Sequence, residues 1–469
     1  MALALYGGSD CPMLLALNPS ADLAKLVQSG DMRRLARALP RFDDVQLAAQ
    51  LDNLEPGEQD AVLQHLPAER RPKVLSRMRY EVAAEIIGRL APQEAAGLLD
   101  NLESDDAADI LGRIDEDKLR QILARFDAAD AHALEELLAY PEHTAGGIMS
   151  PSFFAVHQDV TIAEATRLIQ TAEELPQHVQ YLYVVDEHER LVGIIGLRDL
   201  VLSKPDQPIH SVMATELVTV MADTDQEKVA ECASRYDLVA IPVVDDQRRL
   251  LGVVTIDDIV DVLREEATED ILRMAGAGDV LIDTREFRAS FRARLPWLGA
   301  AAFGGLLVAG SLQGYEDALR SVPALALFMP VVAGMGGNVG TQSSTIVVRG
   351  LAVGYVETTR IGRLVLREVA LGASLGMIYG AAIALLAPLF GATGGDPLGL
   401  GLTITLGTMG SMMIAAAVGT CVPLIMHRLN IDPAIATGPF VTTAVDILGL
   451  LLYFWLATMM LAATATLPP

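Results

Sequence analysis

Asp446 stands where a carboxylate is hard to keep. In Thr442-Thr443-Ala444-Val445-Asp446-Ile447 it is flanked by apolar residues for about two to four helical turns on either side. An ionised side chain at such depth in a bilayer costs several kcal/mol unless it faces water or protein. No Lys or Arg lies at comparable depth to pair with it. Two roles stay open at this point, hydrogen-bonded glue between helices and a carboxylate on an ion path. A second stretch, Pro330 to Ser344, joins Gly334, Gly336, Gly337 and Gly340 to Asn338, Gln342, Ser343 and Ser344. Glycines let helix backbones approach closely. They do not account for the four oxygen-bearing side chains, which offer ligands to a wet surface. Hard oxygen donors without thiols or imidazoles suit Mg2+ or Ca2+ better than Zn2+ or Cu2+. Because Mg2+ gives up water reluctantly, one Asp per subunit, multiplied by symmetry, could ring a pore and grip the hydrated ion.

Carboxylates are dense in two further places. From Asp257 to Asp279 the chain reads as an amphipathic helix or helix pair carrying Asp258, Asp261, Glu265, Glu266, Glu269 and Asp270. Like charges at helical spacing repel unless cations neutralise them. Upstream, Asp105, Asp106 and Asp109 fall on one helix face, where a solvated acidic surface is the plainer explanation of any single one.

The elements that would position these groups follow from segregation of charge and apolarity. The chain is 51% hydrophobic yet carries a formal charge of −25, and the excess negative charge lies before Arg288. So acidic a region repels nucleic acid and anionic lipid and attracts cations, although acidity can serve solubility alone. Beyond about Leu295, five segments are long and apolar enough to cross about 30 Å of hydrocarbon: roughly 295–312, 322–348, 364–390, 402–426 and 436–463. Arginines cluster before the first (Arg285, Arg288, Arg292, Arg294), between the second and third (Arg349, Arg360, Arg363, Arg367) and after the fourth (Arg428). These loops are expected on the cytoplasmic side of a cell (inner) membrane, with the N-terminus inside and the C-terminus outside. Cys11, Cys232 and Cys421 are scattered and suggest neither a disulfide framework nor a zinc site. Residues 1–20 make a poor signal peptide and are expected to be a flexible N-terminus.

In the acidic half, Tyr183-Val184-Val185-Asp186 through Ile195 repeats as Pro242-Val243-Val244-Asp245 through Val254 in a constant 59-residue register. Each unit reads as strand, charged hairpin, strand and then a helix opened by Arg198-Asp199 or Asp257-Asp258, and is preceded by Ile148-Met149 or Val212-Met213. The pattern resembles a tandem CBS pair. That resemblance implies either an adenine nucleotide such as ATP between the repeats, with Arg198 and Asp199 as its candidate contacts, or a purely structural pair. From about Leu23 to Leu138, short helices recur with breaks at Pro40, Pro56, Pro67 and Pro92, which suggests a small superhelix.

In its order of parts the chain resembles the MgtE family of magnesium channels. The resemblance rests most specifically on Gly336-Gly337-Asn338-Val339-Gly340-Thr341-Gln342-Ser343 and on Asp432-Pro433-Ala434 with Gly438-Pro439 through Asp446. Family members often have Asn where this chain has Thr341. The resemblance implies a multidomain membrane protein: flexible residues 1–20, an acidic α-helical superhelical N domain at 21–140, an α/β tandem CBS pair at 141–263, a connecting (plug) helix at 264–290, and a five-helix transmembrane pore domain at 291–469. It implies a homodimer with the pore between subunits, lined by the second and fifth spans, and Mg2+ uptake through that pore. Asp446 matches the ion-selective carboxylate, Asp432 an acidic residue near the cytoplasmic mouth, and Asn338, Gly336, Gly337 and Gln342 lie in the pore motif. Closure by cytosolic Mg2+ would fall to Asp258, Asp261, Glu266, Glu269 and Asp270, with Asp105 and Asp109 as weaker candidates. Two competing classes are a membrane-anchored sensor that transports nothing and a secondary carrier coupled to Na+ or H+, which the lack of an obvious inverted repeat disfavours. No P-loop or nucleophile grouping points to an enzyme.

Overall fold

The structure, a computed structural model, describes residues 23–29, 31–172, 180–276, 287–352, 361–390, 397–429, 431–436 and 438–465. The N-terminal segment with Cys11, residues 277–279 of the acidic stretch, Arg285, Arg360 and most of the loop before the fourth span lie outside them. The chain divides into two compact units, which meet in sequence at Leu263 and Arg264.

The first unit opens with short helices from Leu23–Gln28 to Ala128–Leu138. Part of its acidity is spent on starting them. Asp43 accepts from the Gln46 amide at 2.7 Å, Asp115 from the Asp117 amide, and Asp127 from the Ala129 and Asp130 amides. Such caps satisfy donors that a helix start leaves unpaired. Pro56 and Pro92 are not breaks inside helices but their first residues, where the missing amide is harmless. The buried stripe of these helices, including Leu47, Leu75, Ile86, Ile87, Leu99 and Ile110, is continuous with Val229, Ile241, Val243, Val254 and Ile259 of the second repeat. That shared apolar core fixes the helices against that repeat.

Each repeat forms a three-stranded sheet. In the first, β1 (Ala155–His157) pairs parallel with β2 (Tyr181–Val185), which pairs antiparallel with β3 (Leu191–Gly196). In the second, β4 (Val220–Met221), β5 (Ala240–Val244) and β6 (Leu250–Thr255) do the same. The charged hairpins are twins: Asp186 and Asp245 each accept two backbone amides of their own turn and one arginine Nε, with Glu189 and Arg248 at positive φ. The leading Ile-Met and Val-Met segments cross over. Met149 packs on Gly252 of the second repeat and Met213 on Gly193 of the first, and Tyr183, Leu191, Val244 and Val253 close the seam.

A single helix, Ile256–Met274, follows β6. Among the described residues, the second unit then holds five helices long and apolar enough to cross a membrane. We refer to Phe287–Leu312, Ala324–Ala352, Ile361–Leu386, Pro397–Arg428 and Pro439–Ala465 as the first to fifth spans. The fourth packs against the second, third and fifth, and the second also packs on the fifth. Contacts are close because side chains are small. A Cβ on Gly419 would lie 2.3 Å from the Gly340 carbonyl oxygen, so the fourth and second spans touch backbone to backbone there.

Candidate functional site

On the second span, Asn338, Gln342 and Thr345 are exposed along one side of the helix, and Arg349 follows them one turn on. Their spacing of three and four places them on a common stripe. A polar stripe on an otherwise apolar span cannot rest against lipid and must meet water or another chain. Ser343 and Ser344 do not join it. They are 4% and 0% exposed and point into the bundle, contrary to the expectation that all four polar residues face a wet surface. The cause is helical phase: one and two positions beyond Gln342, roughly 100° and 200° around the axis.

The glycine motif divides likewise. Gly337 has open space where a Cβ would stand, whereas Gly336 faces Ser411 and Val445, and Gly340 faces Val441 and Val445. The fifth span therefore lies against the glycine face at Val445, and the next residue in the chain is Asp446. Asp446 is half-buried, and among the described residues nothing donates a hydrogen bond to its carboxylate.

Asp432 lies in the turn between the fourth and fifth spans. Its Oδ1 accepts from the Ala434 amide at 2.7 Å, and its Oδ2 pairs with Arg273 Nη1 at 2.5 Å. Arg273 also pairs with Glu269, one turn back on its own helix. A Cβ on Gly438 would sit 3.5 Å from the Met274 carbonyl oxygen, so the end of the helix lies against this turn. Burial pushes the Asp270 carboxyl up to about 6, with Asp432 and Glu266 adding to the rise and Arg349 opposing it. Of the expected regulatory carboxylates, Glu266, Glu269 and Asp270 thus gather near Asp432.

A second acidic cluster lies in the first unit. Asp258 folds back onto Thr255, accepting from its hydroxyl at 2.8 Å and its amide at 3.3 Å. Burial raises its carboxyl well above the usual range, and the charge of Asp105 raises it further. Asp105 Oδ1 is cut off from solvent and has no hydrogen-bond partner among the described residues. Burial pushes Asp106 up to about 7, with Asp105 adding, while the Tyr80 hydroxyl donates to it at 3.0 Å. Asp109 is also pushed up to about 7 by burial, against the pull of Arg113 and with the push of Asp105 and Asp106. Asp261 stays exposed on the following turn. Among the described residues no three carboxylate, thiol or imidazole groups form a ready-made metal cage. Mg2+ that keeps its waters asks for only one or two carboxylates.

Arg198 and Asp199 are exposed at the start of the short helix after β3. In the 59-residue register Asp199 corresponds to Asp258, yet only Asp258 is drawn into the acidic cluster. Sequence reasoning missed Arg273, Tyr80 and Glu368, the last of which accepts from the Ser343 hydroxyl at 3.1 Å. Only the first carried a signal, its spacing of four from Glu269.

Among the described residues, five helices long and apolar enough to cross a membrane, with polar groups set among them, mark a multi-pass membrane protein. The family model for MgtE divalent cation transporters matches residues 329–456, the model for the MgtE intracellular N domain matches 42–143, and the CBS domain model matches 145–205 and 209–265. The magnesium transporter MgtE of Bacillus subtilis is 39% identical over 333 residues, which cover 71% of this chain and 73% of that protein. That of Thermus thermophilus is 37% identical over 335 residues, covering 70% and 73%. A solved cytosolic domain, described as that of the Mg2+ channel MgtE in complex with ATP, is 35% identical with a TM-score of 0.48, covering 51% of this chain and 98% of that one. The chain belongs to the MgtE family of divalent cation transporters.

Proposed function

We propose that this protein conducts Mg2+ across a cell membrane and that cytosolic Mg2+ shuts the path by neutralising its acidic clusters. The observation that carries conduction is the exposed polar stripe Asn338, Gln342 and Thr345 in a span whose glycine face lies against the helix of Asp446. One chain offers one such stripe and one such carboxylate. A two-fold dimer with the path between subunits doubles both, so that a hydrated ion meets oxygen from two sides. Arg288, Arg292, Arg294, Arg349, Arg363, Arg367 and Arg428 all fall on one side under this arrangement, which places the N-terminus inside and the C-terminus outside.

Closure rests on repulsion. Asp105 faces Asp258 in the first unit and Asp270 lies beside Asp432 and Glu266 in the second, and burial together with carboxylate repulsion raises the carboxyls of Asp105, Asp258 and Asp270. Bound Mg2+ would bridge each pair and hold the closed arrangement. When Mg2+ falls, the pairs repel and the arrangement loosens. This requires Mg2+ to bind the closed state more tightly than the open one. If the CBS pair takes an adenine nucleotide such as ATP, exposed Arg198 and Asp199 are the groups to meet it, and substituting both should abolish its binding.

The test is Mg2+ flux into liposomes holding the full-length protein. Asp446→Asn should remove flux while the protein still folds and dimerises, and undiminished flux would remove Asp446 from the path.

A further inference from the structure

Glu368 has no part in the path or the clusters described so far, yet it is 7% exposed, about two turns into the third span. It heads a stripe of every fourth residue, Glu368, Gly372, Gly376 and Gly380. Cβ atoms on the three glycines would lie 2.6 Å from the Met412 carbonyl oxygen, 2.5 Å from Met409 Cα and 2.8 Å from Thr405 Cα. The third and fourth spans therefore close by backbone contact, and the stripe ends at a carboxylate directed to the second span. There the Ser343 hydroxyl, itself 4% exposed, donates to Glu368 Oε2 at 3.1 Å.

The rotation of the second span about its axis decides where Asn338, Gln342 and Thr345 point. Val332, Val339, Val347 and Val348 are buried on its packed face, but Gly336 and Gly340 present no side chains to Val441, Val445 and Gly419, so the middle of that face adds little to fixing the rotation. Smooth small-residue faces slide, whereas a buried polar pair has one register in which it is satisfied. We propose that Glu368 is a positioning residue for the ion path: through Ser343 it keys the second span's rotation, so that the polar stripe is held outward. A slip of one residue would turn the stripe by roughly 100°. This inference rests on the second span lining the path.

The experiment uses full-length protein in liposomes with two readouts, maximal Mg2+ flux and labelling of Gln342→Cys by a hydrophilic thiol reagent after Cys11, Cys232 and Cys421 are replaced. Ser343→Ala and Glu368→Ala should each lower flux roughly tenfold, the scale of a lost hydrogen bond to a carboxylate, and slow the labelling. Ser343→Thr keeps the donor and Glu368→Gln an acceptor, so both should recover most of the flux and the labelling. The double alanine variant should be no worse than the worse single. Wild-type flux and labelling in Ser343→Ala, or losses that multiply in the double variant, would overturn the key. If Glu368→Ala does not fold, Ser343→Ala decides alone. If the wild type carries no Mg2+, the proposed function fails, while labelling still decides the key.

Discussion

At the scale of the residue, the carboxylates divide by what surrounds them. Asp43, Asp115 and Asp127 cap helices and Asp186 and Asp245 close hairpins, so part of the acidity is structural. Asp106 and Asp109 are different, because burial holds their carboxyl groups up near 7. A carboxyl whose folded value is raised disfavours the folded state once it ionises, so stability falls as pH rises from the unfolded value of about 4 through about 7. In Mg2+-free detergent solution, lowering pH from 8 to 6 should raise the Tm of the acidic helices. Adding Mg2+ at pH 8 should raise it as well, by supplying the counter-charge. A Tm indifferent to both would deny the cluster its role. That Asp446, Asn338 and Gln342 are polar groups set within apolar spans was legible from residue type and spacing. Ser343 was misread because its partner, Glu368, is 25 residues away beside Arg367, where it looks like an ordinary interfacial charge.

At the scale of the element, the long apolar runs and the twin hairpins were plain, since each carries its pattern within one segment. The strands β1 and β4 are three and two residues long and exist only through parallel pairing with β2 and β5, so no local signal announces them. Arg273 and Asp432 are 159 residues apart, and their pairing follows only from the helix end meeting the turn. That pair ties the helix to the turn beside the fifth span. Arg273→Ala should therefore weaken closure, and the Mg2+ level for half-inhibition of flux should rise several-fold, on the scale of a partly buried ion pair. An unchanged inhibition curve would make the pair incidental. Packing gives a separate prediction. Gly419→Ala inserts a methyl where 2.3 Å separates the Cβ position from the Gly340 carbonyl oxygen, and should lower stability by about 1–3 kcal/mol, read as a lower Tm in detergent.

At the scale of the whole molecule, the chain joins in order a region matching the MgtE intracellular N domain, a CBS pair and a region matching the MgtE divalent cation transporters. In the function proposed above, conduction and closure fall to different residues, which makes them separable. Neutralising Glu266, Glu269 and Asp270 together should leave Mg2+ flux intact at low cytosolic Mg2+ and blunt its inhibition at high Mg2+. The most direct test of the central claim is current through a planar bilayer holding the purified protein, under a Mg2+ gradient, with Mg2+ varied on the side of the acidic region. The wild type should pass a Mg2+ current that shrinks as that Mg2+ rises, and Asp446→Ala should pass none. A Mg2+ current of wild-type size in Asp446→Ala would contradict the assignment of the path.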